Sequence, residues 1–226
     1  MSALLPVENP TGLIPGCHLA QVTDLNDPDN RNRVKVRLLA LDGDGRAELW
    51  ARVALPFAGD NRGAFLLPDV GDEVLVSFVA GDPRFPIVLG GLWNGGTTPP
   101  AAIANGENRL KVIRSKNGVQ LTLDDQQGRE QFIVETPGGQ KVTLQDGPGS
   151  VTIEDSNGNS VKLESAGLTV TASARVTVNA SQVSVSAGMV QVDAGMSRFS
   201  GVVQCDTLMA TTVIASTYTP GAGNVW

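Results

Sequence analysis

The chain has 226 residues, of which 41% are hydrophobic and only 4% aromatic, with a formal net charge of −6. That size allows one compact domain plus something extended. The acidity argues against a nucleic-acid partner, which needs clustered Lys and Arg, and against adhesion to anionic lipid.

The first ten residues, MSALLPVENP, lack a basic stretch followed by an apolar one, so no secretory signal is visible. No apolar run approaches the ~18 residues of a membrane span, and synthesis in the cytoplasm is expected. Residues 1–14 read as an arm, because Pro6, Pro10 and Gly12, with Pro15 just beyond, oppose regular structure. Residues 15–95 read as a small β domain. HLAQVTDL alternates, NDPDNRNR supplies a turn, and VKVRLLAL alternates again, with Val34, Val36 and Leu38 on one face and Lys35 and Arg37 on the other. LWARVALP is a third strand. A long connection, PFAGDNRGAFLLPDVGD, leads to a fourth, EVLVSFVAGD, with Val74, Val76 and Phe78 opposite Leu75, Ser77 and Val79, and FPIVLGGLW is a fifth. Five short strands in about 80 residues fit a closed barrel of the OB type, since closure removes exposed edges. Trp50, Phe57, Phe65, Phe78, Phe85 and Trp93 all fall in this half, where a globular core is expected to use them.

Residues 96–108 form a linker of Gly, Pro, Ala and Asn too short to hold a domain. From Arg109 the pattern is repetitive, and residues 109–198 read as a stem. Val119, Leu121 and Leu123 begin it. In the next strand either Phe132 and Val134 or Ile133 faces inward. Apolar pairs follow at Val142/Leu144, Val151/Ile153, Val161/Leu163, Leu168/Val170, Val176/Val178, Val183/Val185 and Val190/Val192. The interval is about ten residues at first and about seven from Val176. Seven residues cannot close a coil within one chain, so their inward side chains need strands from other chains. Burial of one Val or Leu is worth roughly 1.5–3 kcal/mol, and an isolated chain losing that burial cannot offset an ordering entropy of about 1–2 kcal/mol per residue. A triangular prism of three intertwined chains satisfies both. The fold class expected is therefore all-β: an N-terminal OB-fold barrel, then an intertwined trimeric β-helix.

The segment Leu67 to Gly95, LPDVGDEVLVSFVAGDPRFPIVLGGLWNG, resembles the OB domain of VgrG and of phage baseplate assembly protein V. The matching residues are Pro68, Gly71-Asp72-Glu73-Val74, Gly81-Asp82-Pro83, Pro86, Gly90, Leu92 and Trp93-Asn94. The upstream GCHLAQVTDLNDPDNRNRVKVRL fits the first hairpin of that domain, and the β-stem is similar to the family's needle. The resemblance implies a structural spike at the centre of a contractile injection machine or phage tail, which pierces the target envelope mechanically and touches the membrane only transiently. It further implies a separate hub protein at the barrel end, because only an arm precedes the barrel here, and a PAAR-type cone at the other end. The contrasting reading is a trimeric receptor- or polysaccharide-binding tailspike, disfavoured by a stem without aromatics between Phe132 and Phe199. A single-strand nucleic-acid-binding OB protein is disfavoured by acidity.

No residue carries a catalytic pattern. His18 reads as a surface or partly buried barrel residue, and the neighbouring carboxylates Asp124-Asp125 and Glu154-Asp155 as solvated turns rather than a glycoside-cleaving pair. Cys17 and Cys205 have no CxxC or Cys/His context and read as two free, buried thiols; no metal or cofactor is expected. Residues 199–226 read as a tip. The apolar end, with Tyr218, Pro220, Val225 and Trp226 as the main contacts, is the expected seat of the cone.

Overall fold

The structure is a computed structural model that describes residues 12–40 and 48–217. The chain divides into two units, one up to Arg175 and the other from Val176 onward.

The first unit opens with a barrel. Its strands are β1 (Cys17–Asp24), β2 (Val34–Leu38), β3 (Glu48–Val53), the short hairpin β4 (Ala58–Gly59) and β5 (Arg62–Gly63), β6 (Glu73–Phe78) and β7 (Pro86–Leu92). The sheet closes in the order β1-β2-β3-β7-β6, with β6 returning to β1 and β3 parallel to β7. The period-two alternation of β2 and β6 decides which way each side chain points. Val34, Val36, Val74 and Val76 are fully buried, and Leu38 and Phe78 nearly so. Ala20, Val22, Ala51 and Val88 complete a core of ten side chains. Small and β-branched residues suit so narrow a bore.

Only one aromatic enters that core. Phe57, Phe65, Phe85 and Trp93 are exposed, and Trp50 is half-buried beneath the cations of Arg33 and Lys35, each 5.9 Å from its ring. The expectation that this half's aromatics build its core is corrected: a five-stranded bore filled by valines has room for Phe78 alone.

Seven further strands form one antiparallel meander in sequence order. They are β8 (Leu110–Arg114), β9 (Gln120–Asp124), β10 (Gln131–Glu135), β11 (Lys141–Gln145), β12 (Ser150–Glu154), β13 (Ser160–Glu164) and β14 (Gly167–Thr171). The ten-residue interval is the length of a five-residue strand plus a turn. The turns are tight: at Gly147 φ is +55° and the Gly128 carbonyl occupies the space a Cβ would need.

The second unit is described on its own. Among residues 176–217 no segment pairs with another. The chain bends at 181, 188 and 195, then at 201, 206, 211 and 216. The seven-residue rhythm therefore gives way to a five-residue one. In the heptads ARVTVNA, SQVSVSA and GMVQVDA, the first valine is 62–64% exposed and the second 70–71%. This constancy marks a regularly repeating coil.

Candidate assembly interface

The stem sheet separates its two faces by strand parity. On one face the cross-strand partners run Ile113, Leu121, Val134, Val142, Ile153, Val161 and Val170. The adjacent row runs Lys111, Leu123, Phe132, Leu144, Val151, Leu163 and Leu168. Thirteen of these fourteen positions are apolar. The open alternative at the third strand resolves here: Phe132 and Val134 join the apolar rows, whereas Ile133 lies between Thr122 and Thr143 on the other face.

That other face carries Thr122, Thr143, Thr152, Lys162 and Thr169 at the strand centres. Val112 and Ile133 are the apolar members of this row, Thr122 is buried, and the face is charged toward its edges. Ordinary half-buried antiparallel sheets show this division. Among the described residues, nothing lies over the apolar side here. Leu123, Leu144, Ile153, Leu163, Leu168 and Val170 are 44–65% exposed. An uncovered apolar surface of this extent marks an interface.

The one charged residue of the apolar rows, Lys111, is turned aside. Its ammonium donates to the Asn108 carbonyl at 2.6 Å and to Asp125 at 2.8 Å. A shallow groove along this side has Leu123, Phe132, Leu144, Val151 and Leu163 as its floor.

The carboxylates singled out in sequence are structural. Asp124 pairs with Arg109 at 2.7 Å and Asp125 with Lys111. Glu154 lies 3.8 Å from Lys141. Asp155 accepts the backbone N–H of Asn157 and Asn159 and both of their side-chain amides. The Asn159 amide, first among these donors, brings its pKa down to about 2. A carboxyl held ionised by turn amides neither gives nor takes a proton near neutrality. His18 is half-buried against Phe78, edge to face at 5.9 Å, with Nε2 3.1 Å from the Pro15 carbonyl. Cys17 is exposed, which corrects the expectation of a buried thiol in the barrel, and Cys205 is exposed in the single chain. Cys17 sits on the outward parity of β1, opposite the buried Ala20 and Val22. Tyr218, Pro220, Val225 and Trp226 lie outside the described residues.

Sequence reasoning missed the most highly connected polar group. Asp27 is 8% exposed and lies in the β1–β2 turn. It accepts the backbone N–H of Asp29, Arg31 and Arg33, and the Arg33 guanidinium at 2.6 and 3.1 Å. The Arg33 side chain, then these amides, hold its carboxyl far below the usual range against the opposing effect of desolvation. The signal was the run NDPDNRNR, an Asx-type turn with an Arg at its end. Among the described residues, no group of three or more His, Cys, Asp or Glu could hold a metal ion, and no helix is long and apolar enough to cross a membrane.

Two family models match these two architectures. Residues 18–93 match the type VI secretion system/phage-baseplate injector OB domain, and residues 131–195 match the phage baseplate V C-terminal trimerisation domain. Together they define the class: a baseplate-injector barrel followed by a trimerising β-stem. In these two segments the chain resembles a phage baseplate V or VgrG-like spike. Among curated relatives, the type VI secretion system spike protein VgrG4b of Pseudomonas aeruginosa is 32% identical over 57% of this chain and 18% of its own length. The spike protein VgrG3 of Vibrio cholerae is 33% identical over 47% of this chain and 11% of its own length. An actin cross-linking toxin, VgrG1 of V. cholerae, is 30% identical over 46% of this chain. The chain spans less than a fifth of the length of each of these relatives.

Proposed function

We propose that the chain is the central, non-enzymatic spike of a contractile injection system or phage tail, acting as a homotrimer. The observation that carries this reading is the pair of apolar rows left open across all seven strands of the stem, the last five of which, β10 to β14, fall in the region matched by a trimerisation domain. Three such sheets turned inward about an axis cover one another. From Val176 onward, segments of seven and then five residues alternate between chains. At about 3.3 Å per residue the sides shorten from about 23 Å to about 17 Å.

The division proposed is an arm at 1–14, barrel at 15–95, linker at 96–108, stem at 109–198 and tip at 199–226. The barrel end meets a hub protein with help from the arm. The tip seats a PAAR-type cone through Tyr218, Pro220, Val225 and Trp226. The protein is made in the cytoplasm and assembled into a tail or tail-like particle. Force opens the target envelope, and the sparse charge after Glu164 keeps ion desolvation small as the needle passes an apolar layer.

Imaging of the assembled particle tests this directly. The chain is expected on the tube axis at the baseplate; a peripheral position would make it a tailspike instead. A murein or glycan hydrolase assay on the purified chain is expected to be blank. Loss of cone binding is expected when residues 219–226 are removed from a chain that remains trimeric.

A further inference from the structure

The barrel carries two apolar surfaces that its own ten-residue core does not explain. The first is flat. Outward on adjacent strands, Leu19 of β1 lies directly opposite Leu75 of β6, and Leu75 lies opposite Gly90 of β7. Leu39 extends the row, its N–H bonded to the Leu19 carbonyl at 2.9 Å, and Leu89 sits at the β6–β7 irregularity. Leu19, Leu39 and Leu89 are 44–46% exposed. Gly90 gives the row a bare floor, since a Cβ there meets nothing within 4 Å. In the next outward row Arg37 donates to Gln21 and Asn94 to Glu73, and only Leu92, opposite Glu73, is apolar.

The second surface protrudes. The connection between β3 and β6 holds Phe57, Phe65 and Leu66 at 59–68% exposure. It is not a loose loop. The β4–β5 hairpin and the Ala64 N–H to Phe57 carbonyl bond shape its tip. Its far end is pinned to β1 by Gly71 N–H to the Val22 carbonyl and Val22 N–H to the Asp72 carbonyl. Asp69 in the same connection pairs with Lys116, in the turn between β8 and β9, at 2.7 Å. The aromatic connection therefore lies at the end of the barrel that faces the stem, continuous with the region that trimerises.

We propose that in the assembled spike the Phe57–Leu66 connection of one barrel packs on the Leu19–Leu75–Gly90 face of a second copy of this chain. The proposal rests on the trimer reading above. About a two-fold axis a protruding patch and a flat one would pair reciprocally, but the three-fold axis of the trimer reading excludes that arrangement. They pair head to tail, and such contacts close into a ring when the rotation allows it, as a three-fold stem imposes. Aromatic side chains on a glycine-floored leucine face give the desolvated packing seen at interface centres.

The test uses the full chain with Cys17→Ser and Cys205→Ser, to which Leu19→Cys and Phe65→Cys are added together and singly. Each sample is first sized by light scattering, then treated with a short bismaleimide and run under denaturing conditions. Covalent dimers and trimers are expected from the double variant and from neither single variant. A trimeric double variant that stays monomeric on the gel overturns the pairing and leaves the trimer intact. Cross-linking by either single variant also overturns it, since like residues would then meet. A chain that is monomeric by light scattering overturns the trimer reading and the pairing together. The unsubstituted trimer supplies an independent reading: hydroxyl-radical labelling of Phe57 and Phe65 is expected to be several-fold slower than for the free amino acid. Labelling at the free rate would overturn the contact.

Discussion

The barrel and the stem use nearly the same residues in the same alternation, and they solve the problem of burial in opposite ways. In the barrel, Val34, Val36, Val74, Val76 and Val88 meet across a closed bore and reach full burial within one chain. In the stem, Val142, Leu144, Val151 and Ile153 stand on one side of an open meander, and none of them is fully buried. The difference is one of connectivity. A parallel β3–β7 pairing brings the ends of the first sheet together, whereas a meander in sequence order can only extend. Closure within the chain makes the barrel self-sufficient; the open sheet makes the stem dependent on other copies. The further step to residues 176–217, where strand partners vanish within the chain altogether, carries that dependence to its limit.

The largest expected effect follows from charging the open face. Val142→Asp places a carboxylate at the centre of the apolar row, and in a trimer three of them meet in a desolvated core at a cost of several kcal/mol each. Loss of the trimer is expected by analytical ultracentrifugation, with the barrel still folded. A stable trimer of this variant would break the contrast, because the face would then be solvated. Next comes a truncation on the other side of the comparison. Val36→Ala opens a cavity in the barrel and is expected to cost about 2 kcal/mol. Calorimetry is expected to show a lower barrel transition while the trimer persists, which would establish that the two regions unfold separately.

The alternation of β1, β2, β6 and β7, and thus the barrel and its valine core, was legible because one buried face leaves a period of two. The stem's apolar pairs were legible for the same reason. The parity of the third stem strand was not, because Phe132, Ile133 and Val134 are consecutive apolar residues and only the cross-strand partners Leu121 and Leu123 fix which two point inward. Nor did composition distinguish an aromatic that fills a core from one that leaves it. Phe78 and Phe85 are both in or beside strands, yet one is buried and the other half exposed. The shift from seven to five residues per segment after Gly195 registered in sequence only as a broken rhythm, since each pentad retains a single regular apolar position, at Val203, Leu208 and Val213.

A smaller effect concerns the turn that frames the barrel. Asp27 has a depressed pKa, so its contribution is present in full above the unfolded value of about 3.9 and is lost as pH falls below it toward the lower folded value. Asp27→Asn is expected to destabilise the barrel at pH 7. Its stability gap from the unsubstituted chain is expected to narrow below about pH 4, as measured by denaturant unfolding across pH. A gap independent of pH would assign the turn's stability to shape alone. The smallest effect belongs to the link between the two regions. Lys116 and Asp69 are both solvent-accessible, so Lys116→Met is expected to change stability only slightly, and less at high salt. A larger loss would mean that the barrel and stem support each other, and the contrast drawn between them would soften.

The central claim is that this chain completes its barrel alone and its stem only with other copies. Sedimentation equilibrium of the purified full chain, combined with limited proteolysis of the same sample, tests it most directly. A single species of three chains, with residues 110–217 resistant to cleavage, is the predicted result. A folded, protease-resistant monomer would contradict it.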